Sequence, residues 1–468
     1  MSLPERQRSV HFVGIGGIGM SGIAELLLGL GHRVSGSDSQ ESDVVQRLRK
    51  RGARIQIGHN DQILRENAVD VVVYSTAVKA SNPELLYARA NEIPIIRRAE
   101  MLAELMRTKH GIAVAGSHGK TTTTGFTSLL LRAGGLDPTV VIGGKFDAIG
   151  SNAALGGGQW MVAEADESDG SFLRLSPEIA IVTNIDREHM DHYGDFETQM
   201  KAFATFLDSL PFYGRAILCS DCPHLTQLRP KLDKPRYWYG FEESAKPDFW
   251  VVPHSEGANP EFEIFDRRRG EHSSWARIRL SVPGRHNMLN ATAAALVAAE
   301  LGISREVIVK TLAEFRGVSR RFERRGEWQG HPIIEDYAHH PTEIRATLAA
   351  GKTVFAPLKP IVLFQPHRFS RTKDLWSDFA TCFEFAQKVY SLPIYAASEP
   401  REAWVENYDG VNFAKNIKGV PAEFVSSREE LVTRLEAARA KGDLAPGTPI
   451  LVLGAGDISK VIPVLLKG

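Results

Sequence analysis

The chain has 468 residues, too many for one hydrophobic core, so two to four domains are expected. Apolar residues make up 43% of it and charged residues 24%, with 56 basic groups balancing 56 acidic ones. That composition excludes a disordered chain, a collagen-like repeat and a coiled-coil rod, and it lacks the broad basic field that nucleic-acid binding relies on. No apolar run approaches the roughly 18–20 residues needed to span a membrane. The stretch VHFVGIGGIG is broken by glycines and does not read as a signal segment. Three cysteines cannot build a disulfide framework in a chain this long. The expectation is a multidomain protein of the cytoplasm, with no membrane and no nucleic-acid partner.

Strand-like runs alternate with helical stretches, the pattern of parallel sheets with crossover helices. Val10–Val13, Arg33–Ser35 and Val71–Tyr74 read as buried strands, with a helix over Ile18–Leu30. A second cycle opens with the strand IAVA after Gly111, then a glycine turn and a helix through Thr122–Arg132. Met161–Asp166 and Ile179–Asp186 continue it as strands. From Arg236 to Leu280 the chain is aromatic and alternates in places, which predicts a small antiparallel insert. Ala291–Leu301 is a strong helix by propensity, and the runs PIIEDYA, IVLFQP, KVYSLPIYA and PILVLGAGD form a third set of strands. The reading is an α/β chain of three domains in series, at residues 1–107, 108–322 and 323–468.

Gly14, Gly16 and Gly19 form G-x-G-x-x-G between a strand and a helix, and Asp38 ends the next strand. Such glycines let backbone approach a pyrophosphate at a helix N-terminus, so the motif signals a nucleotide diphosphate without specifying redox chemistry. Ala115–Thr121 follows IAVA and starts a threonine-rich helix. Val114 stands where a full phosphate-loop pattern has its first glycine, but the mechanics are intact. Gly116 and Gly119 free backbone N–H groups for phosphate oxygens, Lys120 reaches the outer phosphates, and the Thr121 hydroxyl can ligate Mg²⁺. The acidic run MVAEADESD supplies Glu164, Asp166, Glu167 and Asp169 beside that loop. Alternation puts Glu164 and Asp166 on one side, so either is a candidate metal ligand. His189, after the strand IAIVTNID, is a further candidate, because ligands collect at the C-terminal ends of such strands.

GSHGKTTTT, EADESDGSF, EHMDHY, GRHNMLNATAA, SRRFE, EDYAHHPTE and FQPHRFSRT occur in this order across nearly the whole chain. With GIGGIGMSGIA at the start, the set resembles the Mur ligase family of peptidoglycan synthesis. The resemblance implies an N-terminal Rossmann-like domain for the UDP part of the substrate, a central ATPase domain and a C-terminal Rossmann-like domain. By the same resemblance Gly14, Gly16, Gly17, Gly19 and Asp38 serve the UDP-substrate. Gly116, Ser117, His118, Gly119, Lys120, Thr121 and Thr122 serve ATP, with Asn287 and Asn290 facing adenine and Arg321 and Asp336 reaching the γ-phosphate and ribose. Thr121, Glu164 and His189 hold magnesium. His339, His340, Arg368 and Arg371 line the cleft where acid and amine meet.

The implied reaction activates the lactyl carboxylate of UDP-N-acetylmuramate as an acyl phosphate, which the amine of L-alanine attacks. His339 or His340 is the expected base, and the C-terminal domain is expected to close on ATP. Ser117, Glu188 and Ala338 depart from the family's usual threonine, aspartate and glycine. The carbamylated lysine of later-acting members is missing near Ala204, with Lys201 three residues earlier. The chain is expected to act as a monomer or homodimer. A nicotinamide-dependent oxidoreductase would account for the first glycine motif only, and a nucleotide switch would leave FQPHRFSRT and HHPTE without a role.

Overall fold

The computed structural model describes residues 7–75, 78–146, 151–270, 273–397 and 399–467. Its first sheet is built from β1 (Ser9–Val13), β2 (Arg33–Asp38), β3 (Arg54–Ile57), β4 (Val71–Tyr74) and β5 (Ile95–Arg97), in the order β3-β2-β1-β4-β5. Every pairing is parallel. The run SVHFV is buried at all five positions, as a parallel strand covered on both faces must be. Strand order reverses between β1 and β4, so the loops leaving those two strands open a crevice at the switch point.

The second sheet contains β6 (His110–Ala115), β7 (Thr139–Phe146), β8 (Ser151–Ala154), β9 (Trp160–Glu164), β10 (Ile179–Val182), β11 (Arg215–Cys219), β12 (Arg236–Gly240) and β13 (Phe249–Ser255). They run in the order β13-β12-β11-β10-β6-β9-β7-β8. The expected antiparallel insert needs correction here. β12 pairs parallel to β11, and β13 begins parallel to β12, so both extend the parallel sheet. The sheet continues from β13 to β14 (Glu261–Asp266) and β15 (Ser274–Arg279), which form an antiparallel pair, as β7 and β8 do at the other edge. The physical difference lies in burial. β14 alternates between half-buried and buried positions, whereas Trp238, Tyr239 and Gly240 of β12 are buried in succession.

A third sheet holds β16 (Glu323–Trp328), β17 (His331–Asp336), β18 (Ile361–Phe364), β19 (Lys388–Ser391), β20 (Ala422–Phe424) and β21 (Ile450–Leu453), in the order β16-β17-β21-β18-β19-β20. β16 is antiparallel to β17 and the other pairings are parallel. Two apolar cores form from alternating residues of these strands, one holding Ile334, Val362, Leu451 and Leu453 and the other Ile333, Leu363, Ile450 and Val452.

The chain divides into two compact units. The first runs to Trp250 and adds Asp266–Glu271 and Asn290–Thr311; the second contains Val251–Phe265, His272–Leu289 and everything from Leu312. The first sheet and strands β6–β12 of the second share one unit, where the helix Ile18–Gly29 packs on β8 through a glycine face. A Cβ on Gly22 would lie 3.0 Å from Ala153, and one on Gly29 would lie 3.0 Å from Leu155. Between them, buried Glu25 accepts from Ser151 Oγ at 3.0 Å and pairs with Arg47 at 2.7 Å. No helix among the described residues is long and apolar enough to cross a membrane.

Candidate active site

In the first unit, β6 feeds directly into the loop Gly116–Gly119 and the helix Lys120–Ala133. Gly116 has φ +124° and Gly119 has φ +84°, conformations that disfavour any side chain. Each also faces a close neighbour: a Cβ would lie 2.2 Å from Thr183 Oγ1 at Gly116 and 2.7 Å from Asn290 Oδ1 at Gly119. The loop is fixed from the end of β10. Thr183 Oγ1 and Asn184 Nδ2 both donate to the His118 carbonyl, at 2.6 and 3.0 Å, and Asn184 Oδ1 accepts from the His118 N–H at 2.9 Å. Asp186 N–H donates to Ser117 Oγ at 2.8 Å, and the His118 ring lies 3.0 Å from the Asp186 carboxylate.

Lys120 Nζ donates to the carbonyls of Gly116 and Ser117, at 2.6 and 3.1 Å, and pairs with Glu167 at 2.8 Å. Burial alone would lower this lysine, but Glu167, Glu164 and Asp166 outweigh it and hold the ammonium above its ordinary range. Glu167 is fully buried, and burial pushes its carboxyl up to about 7 although Lys120 pulls the other way. Thr121 Oγ1 donates to Glu164 Oε1 at 3.3 Å, and Gly143 N–H donates to Glu164 Oε2 at 2.8 Å. Thr122 is buried in the first turn of the helix.

The strand β9 ends at Glu164, so the expected alternation does not carry through to Asp166. Asp166 instead pairs with Arg98 at 3.2 Å. His189 caps the short helix Met190–Tyr193 with φ +59°, which turns its ring toward Glu167 and Glu188. Glu167, Glu188 and His189 each offer one ligand atom within 4.8 Å of the others. Hard oxygen and imidazole donors on such spacing suit a divalent cation. The sequence places Glu167 in the acidic run beside the loop but not as the partner of Lys120, which lies 47 residues away along the chain.

The glycine loop after β1 lines a pocket of about 770 Å³ with Asp38, His59, Lys79 and Asn82; Gly14, Gly16 and Gly17 contribute, and Gly19 does not. Gly19 sits against Arg98, whose side chain a Cβ there would meet at 3.0 Å.

In the second unit, Asp336 at the end of β17 accepts N–H bonds from Phe322 and Ala338, each at 2.8 Å. Burial raises its carboxyl to about 6, against the pull of Arg321. Arg321 lies over the Tyr337 ring and 3.8 Å from Glu343. His340 caps the helix Pro341–Phe355, its Nδ1 accepting from Thr342 N–H at 3.2 Å. His339 Nδ1 lies 3.0 Å from the Tyr337 carbonyl. Arg368 (φ +71°) donates to Glu399 at 2.7 Å, and Arg371 donates to His367 Nδ1 at 3.1 Å. His367 stacks on Tyr395 with centroids 5.5 Å apart, and burial, then Arg371, pushes it down to about 3. Asn287 also lies in this unit, donating to the Pro283 carbonyl at 2.7 Å, whereas Asn290 belongs to the first. Glu343, His367 and Glu399 organise these groups without having been singled out in the sequence.

Three family models match the chain in series: "Mur ligase family, catalytic domain" over residues 9–110, "Mur ligase middle domain" over 114–298 and "Mur ligase, glutamate ligase domain" over 320–456. The chain belongs to the Mur ligase family. Among curated Mur ligases it is 46% identical to a UDP-N-acetylmuramate–L-alanine ligase of Sinorhizobium fredii, over 98% of this chain and 97% of that one. It is 47% identical to one of Solidesulfovibrio magneticus, over 97% and 96%. The crystal structure of a UDP-N-acetylmuramate–alanine ligase from Thermotoga maritima is similar with a TM-score of 0.78 and 29% identity, over 98% of this chain and 99% of that one. A murein peptide ligase from Psychrobacter arcticus shares the fold, with a TM-score of 0.73 and 23% identity over 98% of each chain. The Mur ligase fold thus comprises the three parallel-sheet domains read from the sequence.

Proposed function

We propose that this Mur ligase joins L-alanine to the lactyl carboxylate of UDP-N-acetylmuramate, with ATP converted to ADP and phosphate, in the synthesis of peptidoglycan precursors in the cytoplasm. The observation that carries the reading is identity of 46–47% over nearly the full length to ligases of that name. A carboxylate does not condense with an amine in water unactivated. The route is transfer of the γ-phosphoryl group to the carboxylate, followed by attack of the amine on the acyl phosphate and departure of phosphate. The geometry of the first unit supports this, because the phosphate loop and the glycine-loop pocket are built into one body.

Lys120 supplies a cation to the transferring group once the phosphates replace its bonds to loop carbonyls. Thr121 and Glu164 would hold one magnesium and His189 a second, with Glu167 and Glu188 beside His189; such ions supply charge neutralisation at the phosphoryl oxygens. Asn287, Asn290, Arg321 and Asp336 serve the nucleoside and outer phosphate, and Arg368 and Arg371 line the cleft where acid and amine meet. Between the two candidate bases, His339 is favoured. Its Nδ1 must donate to the Tyr337 carbonyl, leaving the lone pair on Nε2, whereas the His340 Nδ1 lone pair is already bonded to Thr342 N–H. The C-terminal domain, residues 323–468, closes on ATP before phosphoryl transfer.

A phosphate-release assay crossing UDP-N-acetylmuramate with a panel of amino acids and with the stem tripeptide tests the reading. Release is expected with L-alanine and only when ATP and the sugar nucleotide are both present. Release with the tripeptide alone would instead make the chain a recycling ligase.

A further inference from the structure

An arginine from the first sheet reaches the acidic turn of the second. β5 ends at Arg97 and the helix Arg98–Met106 begins at once, with Ala99, Leu102 and Leu105 buried. That helix packs both on the helix Ile18–Gly29 and on the short 3₁₀ helix Ser171–Arg174, which anchors the backbone at Arg98. The Arg98 side chain then crosses Gly19, where a Cβ would lie 3.0 Å from both its Cδ and its Nη1. The third glycine of the N-terminal motif therefore makes room for this arginine. Beyond it, Arg98 Nη2 donates to Asp166 Oδ2 at 3.2 Å. The two side chains are 24% and 42% exposed. An ion pair this accessible contributes little to stability, so its consequence lies in what it places.

Asp166 sits where the chain leaves the sheet. β9 ends at Glu164, and Ala165 N–H donates to the Val114 carbonyl at 2.9 Å. Asp166 then turns the chain, its Oδ1 accepting from Ser168 N–H at 3.1 Å and its carbonyl from Phe172 N–H at 3.2 Å. The two residues that meet the phosphate loop flank it: Glu164 accepts from Thr121, and Glu167 accepts from Lys120. The far side of this turn is held by the Tyr193 hydroxyl, which donates to the Glu167 carbonyl at 2.5 Å. The near side is held by Arg98. Both carboxylates that face the loop thus hang between two ties, one of them supplied by the first sheet.

We propose that Arg98 is a positioning residue for phosphoryl transfer: by holding Asp166 it fixes the turn that presents Glu164 and Glu167 to the phosphate loop. The proposal rests on the reading of that loop as the ATP and magnesium site. Titration calorimetry on the full chain with Mg·ADP, and separately with UDP, tests it. Arg98→Met is expected to weaken Mg·ADP by about tenfold, the low end of what a lost outer-shell contact costs a metal site, and to leave UDP within about twofold. Arg98→Lys keeps the charge and is expected to bind Mg·ADP more tightly than Arg98→Met. Asp166→Asn keeps an acceptor for Ser168 N–H but loses the ion pair, so it is expected to match Arg98→Met. The double variant is expected to lose no more than either single one, because the two residues act as a unit. In steady state, half-saturating magnesium rises and kcat falls, while KM for UDP-N-acetylmuramate is little changed. Unchanged Mg·ADP binding, or single losses that multiply in the double variant, would overturn the proposal. A loss confined to UDP would also overturn it and make Arg98 a contact of the sugar nucleotide. Should Arg98→Met fail to fold, Asp166→Asn decides. If the wild-type chain binds Mg·ADP yet releases phosphate with no pairing of sugar nucleotide and amino acid, the ligase reading fails, and the calorimetric comparison still decides the role of Arg98.

Discussion

At His339 and His340, two neighbouring imidazoles hold opposite tautomers because one faces a carbonyl and the other a backbone N–H. The consequence is a division of labour. His339→Gln is expected to lower kcat by about 10²–10⁴-fold, the range of a lost general base, with KM for ATP little changed. His340→Ala is expected to leave the chemistry largely intact and to cost about 1 kcal/mol through the lost helix cap. Phosphate-release kinetics and urea midpoints on the two variants separate these outcomes, and the reverse pattern would reassign the base. The phosphate loop was legible at this scale because Gly116, Gly119, Lys120 and Thr121 act locally, through the order strand, loop and helix. Glu167 and Glu399 were not, because their partners Lys120 and Arg368 lie 47 and 31 residues away and only the fold brings them together. Asp38 was legible as a residue of the loop, but its bond to Gly16 N–H gives it a structural task within the loop.

The C-terminal end of β17 shows how one carboxylate serves a whole element. Arg320 and Phe322 adopt φ +62° and +49°, and Asp336 holds that turn by accepting from Phe322 N–H. Its folded pKa, raised from an ordinary 3.8 to about 6 chiefly by burial, makes the folded state bind a proton more tightly than the unfolded one. Stability from this group is therefore complete below about pH 4 and is lost as pH rises to about 6, by roughly 3 kcal/mol at 1.36 kcal/mol per unit. Asp336→Asn removes the titration. The gap between wild type and variant is expected to be largest in acid and to narrow over that window, read from urea midpoints measured across it. A gap that widens with pH would contradict the assignment. At this scale the strands of the third sheet were legible as continuous apolar runs. The pairing direction of β12 and β13 was not, since aromatic residues fit a buried parallel strand as well as a hairpin.

For the molecule as a whole, three domains in series were legible, and the merging of the first sheet with strands β6–β12 into one unit was not. It depends on Gly22 and Gly29, which read in sequence only as weak points of a helix. Gly22→Val would drive a branched side chain against Ala153 and Asn152, where a Cβ would already lie 3.0 Å away. The expected result is a destabilisation of about 1–3 kcal/mol and a calorimetric trace in which the N-terminal sheet melts ahead of the central one. A single transition at the wild-type temperature would show that the glycine face carries no such weight.

That same seam has a bearing on substrate choice. On the proposed function, with uridine in the crevice beside β1 and ATP at the loop after β6, both sites lie in one unit, so the distance from uridine to the point of phosphoryl transfer is set by the protein and not by the ligand. The enzyme then works as a gauge: an acid carried one sugar farther from its nucleotide, or one sugar nearer, would arrive at the wrong place even though every group needed to grip its handle is present.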